Sequence, residues 1–173
     1  MRLKINDDDG FIAVVNRASY NGFVDEDWQF DQLMTHFTDQ MRAGNIVIWR
    51  TSNDGGENWL VSFQEQPSAT FAFRQFDQFI NVTSGELFLT NYADLTMAAQ
   101  FEDVSIPAAH NAELKIELKN GWYKLTVRQL FNPNNPMQHF DTESDENISF
   151  EIIITPSTKL TQQQSTEVYW LTL

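Results

Sequence analysis

The sequence predicts a mainly β protein, an antiparallel β-sandwich of about ten short strands with one amphipathic α-helix. Three observations carry this reading. Short runs of alternating apolar and polar residues recur along the 173-residue chain, parted by Asp-Gly, Ser-Gly, Asn-Gly and Asn-Pro breaks. A single long stretch, about residues 27–43, holds an apolar stripe at spacings of three and four. The clearest alternation, residues 112–131, reads as a hairpin that organises the rest.

In that hairpin, Ala112 to Lys119 and Trp122 to Phe131 flank Asn120-Gly121. An Asn-Gly pair suits a type I′ turn, which needs positive φ at both central residues. Counting outward sets Leu118 opposite Tyr123, Ile116 opposite Leu125 and Leu114 opposite Val127. Glu117 then meets Lys124 and Glu113 meets Arg128, so the apolar pairs share one face and opposite charges pair on the other. A slip of one residue would turn the apolar set into water.

Taken in order, Leu3 and Ile5 open a short strand that ends in Asn6-Asp-Asp-Asp-Gly10, and Phe11 to Val15 returns as a buried strand. The helix follows, with Asp25 or Asp27 as its cap and Glu26 and Asp31 near its positive end. Phe30, Leu33, Met34, Phe37 and Met41 form its stripe, and Gly44 stands where a left-handed C-terminal residue belongs. Residues 45–51 and 58–63 read as a hairpin across Ser52 to Gly56. Residues 69–82 fit both a strand and a helix by period, and the lead into Ser84-Gly85 and Glu86 to Thr90 favours strand. Tyr92 to Phe101 reads as a short helix or irregular crossover. Asn132-Pro-Asn-Asn-Pro136 stops the organising hairpin. Residues 147–155 read as a central strand, and 167–173 as a terminal one. The chain shows no repeat and no linker, so residues 1–173 read as a single domain.

Composition narrows function by exclusion. There is no cysteine, which removes disulfides, thiol nucleophiles and thiolate metal sites. No apolar run approaches a membrane span and no leader is legible, so the expected address is cytoplasmic with no membrane partner. The formal net charge is −13, from 24 acids and 11 bases, a field that repels nucleic acid and attracts basic proteins. From Asn132 onward six acids face one base, Lys159. Four of the six, Asp141, Glu143, Asp145 and Glu146, share one loop, 132–146, whose length and polarity predict easy local opening and early proteolysis.

Chemical motifs are missing. His36, His110 and His139 lack ligand spacing, with His36 expected on the polar side of the helix, and there is no phosphate loop, nucleophile elbow or zinc signature. The acids at 7–9 and 141–146 do not follow a calcium-loop spacing. No cofactor, metal or catalytic residue is therefore expected. Trp49, Trp59, Trp122 and Trp170 fall in predicted strands, which keeps a small-ligand or carbohydrate-binding sandwich as the alternative.

Two segments also resemble a known family. Phe79-x-x-Val82-x-x-Gly85-x-Leu87-x-Leu89, followed by Leu118-x-x-Gly121-x-Tyr123-x-Leu125, is similar to the C-terminal half of the competence protein J family. Those proteins are small acidic inhibitors of a bacterial DNA-entry nuclease. The resemblance implies a bacterial inhibitor or immunity protein, not an enzyme. It carries over no site residues, and this chain differs in its N-terminal part and in its longer acidic loop. The charge adds the expectation of a basic protein partner, such as a nuclease toxin, met by Asp141, Glu143, Asp145, Glu146, Asp25 and Glu26.

Overall fold

The computed structural model describes residues 1–52, 57–133, 147–158, 165 and 167–171. It is a mainly β sandwich backed by helices. One sheet has five strands, in the order β1 (Arg2–Asp7), β4 (Glu57–Gln64), β9 (Phe150–Ser157), β8 (Gly121–Gln129) and β5 (Arg74–Val82). The other has four, in the order β3 (Ile46–Arg50), β2 (Phe11–Val15), β6 (Glu86–Asn91) and β7 (Lys115–Glu117). Helices α1 (Phe30–Arg42) and α2 (Tyr92–Gln100) join β2 to β3 and β6 to β7. All strand pairs are antiparallel except β4 with β9.

The three-layer arrangement follows from which strands are apolar on both faces. In β2, Ile12 and Val14 enter the core between the sheets, while Phe11, Ala13 and Val15 face the helices. β3 repeats this, with Val47 and Trp49 on one side and Ile46 and Ile48 on the other. Strand β8 is apolar mainly at Tyr123, Leu125 and Val127, and its other face is partly wet. The four-stranded sheet is thus the middle layer, because its strands β2 and β3 are apolar on both faces.

The hairpin over 112–131 does not form. β7 pairs only with β6, and β8 pairs with β5 and β9, so residues 118–120 carry the chain from one sheet to the other. The other predicted hairpins behave alike: β1 to β2, β3 to β4 and β5 to β6 are all crossings between sheets. The physical reason is that alternation reports which face is buried and is silent on the partner. Leu114, Ile116 and Leu118 do meet the core that holds Tyr123, Leu125 and Val127, but across the sandwich. The expected charge pairs are replaced. Lys124 pairs with Asp77 at 3.3 Å, Lys115 with Glu117 of its own strand at 3.0 Å, and Arg128 with buried Glu151. Gly121 has φ +144°, Asn120 has no positive φ, and no type I′ turn is made. Instead Asn120 Oδ1 accepts the Gly85 N–H at 2.7 Å and ties two neighbouring crossings together.

Helix α1 begins at Phe30 and not near 27. Gln29 is its N-cap, with its backbone N–H donated to the Gln32 side chain at 2.7 Å. Asp25 Oδ1 accepts the Asp27 N–H instead, in a turn before the helix. Leu33, Met34, Phe37 and Met41 are buried as the stripe requires, but Phe30 is exposed. Gly44 closes the helix at φ +76°. Residues 74–82 are strand, and α2 is a true helix capped by the Asn91 side chain on the Asp94 N–H. β9 is central in its sheet, as its doubly apolar end required. Residues 167–171 are not a strand. Tyr169 makes an isolated parallel bridge to Trp49, and Trp170 has φ +59°, which breaks extension. Nine strands are therefore found among the described residues.

Candidate functional site

The buried ionisable groups are engaged in holding the fold. Asp7 accepts the Phe11 N–H, the Thr51 hydroxyl and the Trp59 indole N–H, joining three elements at one carboxylate. Glu151 accepts from Arg128, Gln64 and the Ser68 N–H, and Arg128 also donates to the Thr70 carbonyl, so the pair pins segment 65–70 onto the sheet. Asp94 accepts from Thr90, the Ala108 N–H and Asn111, and clamps the connection after α2. Each carboxylate is satisfied by donors of the chain itself. Among the described residues no three His, Asp or Glu side chains are placed to hold a metal ion.

His36 is half-buried and not on the wet side of α1. It packs edge-on against Tyr20, with ring centroids 5.8 Å apart. Burial holds its pKa below the ordinary histidine value, against the raising effects of the Asn21 backbone and Asp39. The four tryptophans of the predicted strands are engaged in packing to different degrees. Trp49 and Trp59 are core, Trp122 lies half-buried over Gly44, and Trp170 is half-buried under the Arg74 guanidinium, 4.1 Å from its ring.

The predicted partner residues divide in two. Asp141, Glu143, Asp145 and Glu146, with the opening expected of their loop, lie outside the described residues, as does His139. Asp25 and Glu26 are described and fully on the surface. Two backbone bonds, from the Val24 and Asp25 N–H groups to the Ala99 carbonyl at 3.0 and 3.2 Å, fasten their segment to the end of α2. That places Asp25, Glu26 and Asp27 beside the chain leaving α2, where Glu102 and Asp103 are also exposed. None of these five carboxylates makes an ion pair among the described residues. Met97 and Phe101, on and just after the last turns of α2, are 49 % and 42 % exposed, and a hollow of about 280 Å³ is lined by Glu26, Asp27, Trp28, Gln29 and Gln100.

Glu102 and Asp103 follow the negative end of α2, where carboxylates cost a few tenths of a kcal/mol or more, roughly. The sequence did not single out Met97, Phe101, Glu102 or Asp103. The apolar content of 92–101 gave a helix but not which side chains the middle sheet leaves uncovered.

A second feature lies at the far edge. A cleft of about 900 Å³ opens between β7 and one end of the five-stranded sheet. Leu3, Phe63, Ile116, Leu118, Tyr123 and Ile154 line it, with Glu65, Glu113, Glu117, Lys115 and Lys119 also at its wall. Among the described residues no helix is long and apolar enough to cross a membrane.

No protein-family model matches the sequence, and no curated protein matches it. Two solved structures do match the fold. The crocagin biosynthetic gene J product superposes with a TM-score of 0.56 at 15 % identity, over 91 % of this chain and 95 % of its own. ComJ of Bacillus subtilis, described as the inhibitor of the DNA-degrading activity of NucA, superposes with a TM-score of 0.50 at 11 % identity, over 91 % and 96 %. At these identities the likeness is one of fold, and it spans nearly the whole of each chain: this protein has the fold of ComJ and of the crocagin J protein.

Proposed function

We propose that this chain is a non-enzymatic bacterial inhibitor or immunity-type protein that covers a basic protein partner, such as a DNA-degrading nuclease. The observation that carries the reading is the ComJ-like fold in a chain of net charge −13. Asp25, Glu26, Asp27, Glu102 and Asp103, with the exposed Met97 and Phe101 at the end of α2, are the face of contact. The acids at 141, 143, 145 and 146 add to the same field. Carboxylates take the place of DNA phosphates before a basic cleft, and opposite fields speed association. The apolar pair supplies what charge alone does not, a desolvated centre. One domain and a cytoplasmic address complete the reading.

The test is a DNA-cleavage assay with a basic nuclease encoded beside the gene, titrated with the protein. Stoichiometric loss of cleavage that weakens as salt rises from about 50 to 500 mM supports the reading, since exposed charges are screened over about a Debye length. Full cleavage at excess protein at the lowest salt contradicts it. The apolar cleft favours a second reading, small-ligand binding, because its volume lies within the usual range of about 300–1,000 Å³. A change in Tyr123-region fluorescence with an apolar ligand library, and none with glycans, distinguishes it.

A further inference from the structure

Strand β7 ends its sheet, and the direction of its free groups can be worked out. Leu89 N–H bonds to the Leu114 carbonyl, and Leu118 N–H to the Gly85 carbonyl. With Ile116 opposite Leu87, the Leu114 carbonyl, the Ile116 backbone groups and the Leu118 N–H are turned toward β6 and the turn before it, while the Leu114 N–H bonds to the Asn111 carbonyl. The N–H and C=O groups of Lys115 and Glu117 therefore point away from β6, along an open edge. The same alternation sends Leu114, Ile116 and Leu118 toward the core and leaves Glu113, Lys115, Glu117 and Lys119 exposed.

An open edge is a template for another strand. What that strand should carry is written in β7 itself. Residues 113–119 read Glu-Leu-Lys-Ile-Glu-Leu-Lys. Turned antiparallel about Ile116, the segment matches its own image: Glu113 faces Lys119, Lys115 faces Glu117, Leu114 faces Leu118, and Ile116 faces itself. The register agrees with the backbone as well. The facing pair 115 with 117 is the one whose free N–H and C=O groups point outward, as a hydrogen-bonded antiparallel pair needs, while the Lys119 carbonyl beyond the strand accepts the Tyr123 hydroxyl. A one-residue slip would set charges against leucines, and a two-residue slip would set like charges opposite one another. The edge is also a locally neutral stretch of a strongly acidic chain, so two copies approach there without the repulsion that other faces impose.

We propose that two copies of this chain pair edge to edge through β7, antiparallel about a two-fold axis at Ile116, and continue the four-stranded sheet from one subunit into the next. The Lys115–Glu117 contact within one strand, 3.0 Å with side chains 44 % and 75 % exposed, is exchanged for the same contact between subunits. The interface is isologous, so it closes at the dimer. Short strands and a small contact area give an affinity in roughly the micromolar to millimolar range.

The test is a charge swap read by analytical ultracentrifugation. Lys115→Glu/Lys119→Glu gives an edge of four glutamates, and Glu113→Lys/Glu117→Lys an edge of four lysines. All four side chains are exposed, so thermal unfolding should place both variants within a few degrees of the wild type. Wild type should reach a monomer–dimer equilibrium below about 1 mM. Each variant alone should dimerise at least tenfold more weakly, and an equimolar mixture should form a one-to-one dimer tighter than the wild type. A wild type monomeric at that concentration, a glutamate-edged variant that dimerises as well as the wild type, or a mixture that stays monomeric overturns the proposal. Dimerisation of both variants as strong as wild type would place the self-contact on another face.

Discussion

Replacing Gly44 by alanine tests how α1, the middle sheet and the outer sheet are locked together. Gly44 has φ +76°, and a Cβ there would lie 2.4 Å from Trp122 Cζ3 and 2.5 Å from Cη2. Two costs follow. A left-handed alanine costs about 1–2 kcal/mol. Contacts between carbon atoms are comfortable at about 3.5–4.0 Å, so the indole must retreat by about 1 Å, a rearrangement worth about 1–3 kcal/mol. The sum, about 2–5 kcal/mol, lowers the melting temperature by roughly 5–15 °C for a chain of this size. Gly85 is the control. Its φ is +82°, but the nearest atom to an added Cβ is the Leu118 carbonyl oxygen at 3.9 Å. Gly85→Ala should show the backbone cost alone. The clash is isolated by the cycle of Gly44→Ala, Trp122→Ala and the double variant, with an expected coupling of about 1–3 kcal/mol in favour of the double. Equal losses at Gly44 and Gly85, or a coupling near zero, would refute the packing of Trp122 on the helix terminus.

Other outcomes follow from the buried polar groups. Arg128→Met leaves Glu151 buried without its cation and should cost about 3–5 kcal/mol in denaturant unfolding, while the double variant with Glu151→Met should recover much of it. Asn120→Ala removes the acceptor of the Gly85 N–H and should cost about 1 kcal/mol by the same assay. His36 has a folded-state pKa held below its unfolded value of 6.5 by burial, so the unfolded chain takes up the proton first. Stability is therefore unaffected by this group above about pH 7 and falls as pH drops below 6.5. His36→Gln should flatten the melting-temperature profile between about pH 7 and 5.5 and leave the wild-type and variant difference smallest at the acid end.

Burial was legible in the sequence, and pairing was not. The alternation in 112–131 named the inward side chains correctly at Leu114, Ile116, Leu118, Tyr123, Leu125 and Val127. It assigned them to one sheet, when they come from two, because a crossing between sheets and a hairpin bury the same alternate residues. The Asn120-Gly121 pair suits a type I′ turn in isolation, but Asn120 has no positive φ here and the pair serves a crossing between sheets. The doubly apolar runs 11–15 and 46–50 marked the middle layer, since a strand apolar on both faces needs cover on both. The start of α1 was misplaced because Asp25 and Asp27 are good caps in isolation. Their segment is instead bonded to Ala99, a contact remote in sequence. That same contact assembles the acidic face, so Asp25 and Glu26 were readable as exposed acids while Glu102 and Asp103, their neighbours in space, were not.

The most direct measurement combines binding with stability in one variant. Asp25→Asn/Glu26→Gln/Asp27→Asn/Glu102→Gln/Asp103→Asn neutralises the acidic face without touching a buried residue. Its melting temperature should stay within a few degrees of the wild type, or rise slightly as the carboxylates leave the negative end of α2. Its inhibition of the nuclease at low salt should weaken by at least tenfold, and the salt dependence should shrink with it. Undiminished inhibition by a variant that melts like the wild type would contradict the account, because the face argued to meet the basic partner would then contribute nothing to holding it.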